Sequence, residues 1–340
     1  MMIPRKEQFS GCLVGQCLGD ALGFVVEGYS PGACKRYVED ILKAGRAGEF
    51  GRFPFPFGQY SDDSQLAREL LQSYVARKNF SPDDYSERIK AIFSEKRIVG
   101  WGQATREAAI RLVQGIPWEE AGTPAPSAGN GSAMRAAPVG LLFFDNTQLL
   151  VQAAYDQGRI THKDSRCSAG SVAISGAVAL VLQNKPINPD SFLSSLAEWT
   201  SSIEPAFTVE LKKLVEWISM PPDKAVDFIS KAGIDEDYVD EDEWQGISPF
   251  VTSSVLWSLY SFLRAPDDYM ETIYTAIEGG GDVDTTAAMA GAISGAYLGL
   301  DAIPSDLLHC LTDRGTWRFD ELVELATQCY EIKMQLPDRF

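Results

Sequence analysis

Histidine and cysteine are scarce. Two histidines, His162 and His309, and six cysteines (Cys12, Cys17, Cys34, Cys167, Cys310, Cys329) occur in 340 residues, with no CxxC pair. Zinc sites draw on closely spaced Cys and His, so zinc is a poor fit, and a Ser-His-Asp or Cys-His mechanism would have to rest on His162. The cysteines read as small buried hydrophobes in a reducing compartment, which makes the cytoplasm the expected location. Long apolar runs are also missing. The most apolar segments meet charges or glycines before the roughly 18–20 apolar residues that a bilayer span needs, and the N-terminal MMIPRKEQFS has no signal-like core, so no membrane association is expected. Basic charge is in short supply too: 30 Lys and Arg against 47 Asp and Glu leave a net charge of −17, which argues against nucleic-acid or anionic-membrane partners. Part of the acidity sits in the run Ile234 to Trp244, read as a solvated loop or helix end. A calcium loop there would lack the central glycine of an EF-hand. No Pro/Gly/Ser-rich linker divides the chain, so 1–340 is expected to form a single domain.

What the chain has in quantity is helical periodicity. Leu66, Leu70, Leu71, Tyr74 and Val75 share a face, as do Leu211, Leu214, Val215 and Ile218. Ser81-Pro82, Ile116-Pro117, Asn188-Pro189, Pro221-Pro222 and Ala265-Pro266 suit helix starts, and strands are hard to find, so an all-α fold of a dozen or more helices is expected. Three segments repeat small residues every four positions: Gly11, Gly15, Gly19, Gly23; Ala169, Ala173, Ala177; and Ala287, Gly291, Gly295, Gly299. That spacing puts each set on one helix face, where another backbone can approach closely. These helices are the candidates for the packed centre. A membrane-dimer reading is opposed by Asp20 and Glu27.

Two acidic clusters carry the chemistry. Ser61-Asp62-Asp63 begins an amphipathic helix and alone is explained by capping. Gly279-Gly280-Gly281-Asp282-Val283-Asp284-Thr285 is harder to dismiss: three glycines permit unusual backbone, and the following oxygen-bearing side chains would repel one another without a hard divalent cation. Asp62 and Asp282 stand 220 residues apart, and a site shared by both clusters is expected. Gly129-Asn130-Gly131-Ser132, leading to Met134 and Arg135, is either a phosphate cradle or an ordinary capped loop. Arg135 reads as a surface ion pair or as a buried partner of carboxylates. Thr161-His162-Lys163-Asp164 is a polar helix entry, Trp101 stacks on a base or packs in the core, and Asp20 and Glu27 face the same way if their helix persists.

These motifs, in this order, resemble the ADP-ribosylglycohydrolase family. The likeness runs from Gly11–Gly23 and Glu27 through Ser61-Asp62-Asp63, Gly129–Arg135 and Thr161-His162 to Gly280–Gly291. The resemblance implies an all-α, compact, many-helix orthogonal bundle with a central binuclear metal site. Two Mg2+, or Mn2+ in their place, would be held by Ser61, Asp62, Asp63, Asp282, Asp284 and Thr285. The family often has threonine where Ser61 stands, and either hydroxyl can ligate. ADP-ribose would be lined by Gly129, Asn130, Gly131, Ser132, Met134, Arg135 and His162, with Trp101 a further candidate. Glu27 would sit near the acceptor as gate or acid/base.

The implied activity is hydrolysis of the N-glycosidic bond between ADP-ribose and a modified protein arginine. A metal-activated water attacks through an oxocarbenium-like transition state, with Asp62 or Asp63 as proton acceptor. ADP-ribosyl-serine and O-acetyl-ADP-ribose are the rival substrates. A non-catalytic ADP-ribose-binding, toxin-neutralising or crystallin-like protein is the rival class, disfavoured because all four aspartates are kept.

Overall fold

The computed structural model describes residues 3–234 and 244–335, and the acidic run at 235–243 lies outside them. Among the described residues there are seventeen α-helices and no strand, only isolated bridges such as Gly129 with Phe250 and Ile247 with Gly281. The prolines punctuate as their chemistry requires. Ser81 and Asn188 each cap a helix that starts at the following proline, accepting from the N–H of Asp84 and Ser191. Ala265-Pro266 differs, because Asp268 takes the cap and the helix begins at Tyr269.

The glycine stripes explain the centre. Helices Lys6–Phe24 and Val283–Leu298 run antiparallel in backbone contact: a Cβ on Gly11, Gly15 or Gly23 would lie 2.4–2.5 Å from the carbonyl oxygen of Gly295, Gly291 or Val283, and one on Gly19 would lie 2.1 Å from that of Ala287. Any larger residue would force the pair apart. Helix Ser165–Gln183 carries the alanine stripe and packs against Val283–Leu298. By length and composition alone it is able to cross a membrane, contrary to the expectation that no segment is, but most of it is buried inside the protein. It is a core helix, apolar all round because it is surrounded.

The antiparallel pairing sets the site. Because Gly19 meets Ala287 and Gly23 meets Val283, the C-terminal part of the first helix lies beside the start of the last striped helix. Helix Asp62–Arg77 packs against both and brings its own N-terminus to the same place. Two positive helix ends therefore face one cluster of carboxylates.

Candidate functional site

Asp62 and Asp63 meet Asp282 and Asp284 as the spacing suggested. Carboxylate oxygens of Asp20, Asp63 and Asp284 come within 4.8 Å of one another, and so do those of Glu27, Asp282 and Asp284. Asp284 belongs to both groups. All line, or lie directly behind, a cleft of about 870 Å³ whose walls include Glu27, Asp62, Asp63, Trp101, the 123–131 loop, Met134, His162 and Thr285.

Local sequence explains each position. Ser61 caps its helix, accepting from Asp63 N–H and donating its hydroxyl to Asp63 Oδ2 at 2.9 Å. On the other side Gly280 and Gly281 have φ of +65° and +79°, and a Cβ on them would run into the backbones of Pro31 and Ile247, so side chains are barred there. Asp282 follows without capping its own helix. Its Oδ2 accepts instead from Asn130 Nδ2 at 2.5 Å, and Asn130 is held in turn by Ser254 Oγ.

Electrostatics make the cluster a cation site in waiting. Among the described residues no Lys or Arg pairs with Asp20, Asp62, Asp63, Asp282 or Asp284. Burial pushes the Asp282 carboxyl up to about 6, helped by Glu27, and Asp20 up to about 7. Asp62, Asp63 and Asp284 are held well above the usual carboxylate range by burial first, and then by the charge of Asp20 on Asp62 and Asp63 and of Glu27 on Asp284. Asp63 Oδ1 is buried with no hydrogen-bond partner among the described residues. Hard oxygen donors, an orphaned carboxylate oxygen and mutual repulsion together fit magnesium or manganese.

Not every expected contact is made. Arg135 is fully buried behind the cleft, bound to Gln157 and Thr161, and it neither lines the pocket nor pairs with a carboxylate. Ser132 is also withdrawn, its hydroxyl donating to Cys167 O at 3.0 Å. Ser61 touches Asp63 rather than the open cleft. Gly129, Asn130, Gly131, Met134 and His162 do line the cleft, and Trp101 is half-exposed at its wall with the Arg106 guanidinium 5.0 Å from its ring centre.

Asp20 was absent from the expected ligands. Its carboxylate accepts from Ser61 N–H at 2.8 Å and Ser64 N–H at 3.1 Å, so the first helix clamps the start of helix Asp62–Arg77. The available signal was a lone charge inside a stripe of small, buried residues. Glu27 faces the cluster too, though not by helical phase: the helix ends at Phe24, and Glu27 lies in the following turn, ion-paired with Arg52. Also unread was a buried brace in which Asp313 accepts from Arg68 at 2.8 Å and Gln65 at 2.9 Å, while Gln65 Oε1 accepts from Val99 N–H. That brace fixes the loop in which a Cβ on Gly100 would lie 3.0 Å from Asp62 Oδ1.

A family model described as ADP-ribosylglycohydrolase matches residues 1–337. The chain belongs to the ADP-ribosylglycohydrolase family. Membership makes it a glycohydrolase of ADP-ribose conjugates, built on that family's metal-dependent, all-helical plan. Human ADP-ribosylhydrolase ARH3 is 29% identical, with 87% of each chain covered. ADP-ribosylarginine hydrolase Tri1 of Serratia proteamaculans is 26% identical over 97% of this chain and 81% of its own. A solved ADP-ribosylglycohydrolase-related protein complex contains a chain that superposes with a TM-score of 0.74 at 26% identity, covering 98% of this chain and 100% of that one.

Proposed function

We propose that this family member uses two magnesium ions to hydrolyse the bond between the distal ribose of ADP-ribose and the side chain of a modified protein arginine. The observation that carries the reading is the pair of carboxylate triads sharing Asp284 at the floor of one cleft. Asp63, Asp282 and Asp284 would hold the ions, with Asp62, Glu27 and Thr285 at hand. Magnesium, when bound, supplies positive charge that orients ribose hydroxyls and acidifies water near neutral pH.

The chain's own residues do the rest. Negative charge from Asp62 and Asp63 favours the cationic character that the ribose acquires as the acceptor departs. Either carboxylate serves as proton acceptor for the attacking water. The backbone of Gly129–Gly131 approaches the pyrophosphate, since among the described residues no Lys or Arg lines the cleft. Acidic walls from Glu27 and Glu107 favour a guanidinium acceptor, a preference supported by the name of the Serratia relative. A cytoplasmic setting belongs to the same proposal and is supported by six free cysteines, five of them buried.

Modified arginine, modified serine and O-acetyl-ADP-ribose, assayed side by side with and without magnesium, test this. The expected result is fastest release from arginine, abolished by chelation. Asp284→Ala should lower kcat/KM about 100-fold or more, equivalent to about 2.7 kcal/mol, with magnesium binding lost and circular dichroism unchanged. Tight ADP-ribose binding with no turnover of any conjugate would remove catalysis from the reading.

A further inference from the structure

Arg135 is the largest expense in the interior that the proposed reaction leaves unused. Its guanidinium is fully buried, and among the described residues it has no carboxylate partner. Nε donates to Gln157 Oε1 at 3.0 Å, and Nη2 donates to Gln157 O at 2.9 Å and to Thr161 Oγ1 at 2.8 Å. Gln157 is locked in that orientation because its Nε2 donates to Ser132 O and Ser171 Oγ.

The contact with Thr161 has a consequence one residue on. Thr161 Oγ1 also lies 2.8 Å from His162 Nδ1. An arginine only donates, so the hydroxyl accepts from Nη2 and keeps one proton of its own to place. Thr161 is fully buried, and Nδ1 is its remaining partner among the described residues. A bare Nδ1 accepts that proton. A protonated Nδ1 would leave the hydroxyl hydrogen buried with nowhere to go.

We infer that Arg135, acting through Thr161, fixes His162 as the neutral tautomer with its proton on Nε2, and so makes it a dedicated hydrogen-bond donor to a substrate oxygen. The ring's far edge faces the cleft: a Cβ on Gly129 would lie 3.6 Å from Nε2, and one on Gly131 would lie 3.2 Å from Nε2 and 2.7 Å from Cε1. Nε2 has no protein acceptor among the described residues. Backbone bonds from Thr123 N–H to Thr161 O and from Lys163 N–H to Thr123 O hold the segment in place. Burial and the Arg135 charge push the His162 pKa down to about 3, against the opposing charge of Asp164, so a second proton is excluded at neutral pH. With Nδ1 occupied and Nε2 protonated, His162 takes up no proton from water. It offers a hydrogen to an acceptor such as a pyrophosphate or ribose oxygen. Arg135 and Thr161 are positioning residues in this scheme. The assignment of the donor's ligand rests on the proposed function; the tautomer does not.

With only two histidines in the chain, the test is spectroscopic. Histidine-labelled 15N protein, with His309→Gln used for assignment, should show His162 at pH 7 with a protonated-type Nε2 and a bare Nδ1. The reverse pattern, or two protonated nitrogens, would overturn the inference. Thr161→Val should abolish the fixed pattern and weaken ADP-ribose binding about tenfold by calorimetry, while Mn2+ binding and circular dichroism stay unchanged. Thr161→Ser should restore both. A Thr161→Val protein that keeps the wild-type nitrogen pattern overturns the relay, and one that loses the pattern but binds ADP-ribose normally overturns the donor role. Wild-type protein that binds no ADP-ribose, yet shows the expected tautomer, counts against the proposed function alone.

Discussion

At the scale of single residues, the site is governed by which carboxylates have a cation and which do not. Glu27 alone among those in the two triads is ion-paired, to Arg52, whose Nη1 also donates to Phe24 O at 3.3 Å and whose guanidinium sits 4.7 Å from the Phe24 ring centre. That guanidinium is positive charge placed against the cluster proposed to hold divalent ions. Both side chains are partly exposed, 41% for Arg52 and 27% for Glu27, so solvent screens the pair and the effect is modest. Arg52→Ala should therefore tighten magnesium binding about two- to fivefold, and Glu27→Gln should weaken it by at least as much, both by calorimetry without substrate. Weaker binding in Arg52→Ala would mean that the arginine organises Glu27 rather than opposing the metal.

At the scale of elements, the glycines divide into those that hold helices together and those that do not. Gly15 belongs to the first kind: a Cβ there would lie 2.5 Å from Gly291 O and 3.1 Å from the Tyr269 ring. Gly15→Ala gains helix propensity worth about 1 kcal/mol yet should still destabilise by about 1–3 kcal/mol, because backbone has to move. Gly32, in helix Pro31–Tyr37, meets nothing nearer than the tip of Arg36 at 3.9 Å. Gly32→Ala should stabilise by up to about 1 kcal/mol, and urea unfolding of the two variants measures the contrast. Equal effects would show that the stripe is a propensity defect and not a contact. This division also explains what was legible in advance. The stripes, the helix starts and the two aspartate motifs are local patterns with a period or a fixed spacing, so they can be read from sequence. Asp20, the inward turn of Arg135 and the Arg68–Asp313 brace are single residues whose partners lie 22 to 245 positions away, and nothing in their neighbours announces the pairing. The phase argument for Glu27 failed because it assumed a helix that stops at Phe24.

At the scale of the whole molecule, the fold buries carboxylates whose charges a bound metal would offset, and pH should expose this. Carboxyls with raised pKa in the folded state stabilise the metal-free protein most fully below their unfolded value near 3.8, and that contribution is lost as pH rises through about 6 for Asp282 and about 7 for Asp20. Protons and magnesium compete for the same oxygens, so ion binding strengthens over that interval as protons leave. His162 works the other way: its folded pKa is depressed to about 3, so its contribution is present above about 6.5 and is lost as pH falls towards 3. The histidine term is the same with or without metal and cancels in the difference between the two melting curves. The rise in Tm produced by saturating magnesium should therefore be small at pH 5 and grow steadily to pH 8, as RT ln(1 + [L]/Kd) requires when Kd falls. Scanning calorimetry in matched buffers with and without magnesium measures it. An increment that stays constant from pH 5 to 8 would mean that the buried aspartates are already ionised without the metal and that the fold carries no repulsion for it to relieve.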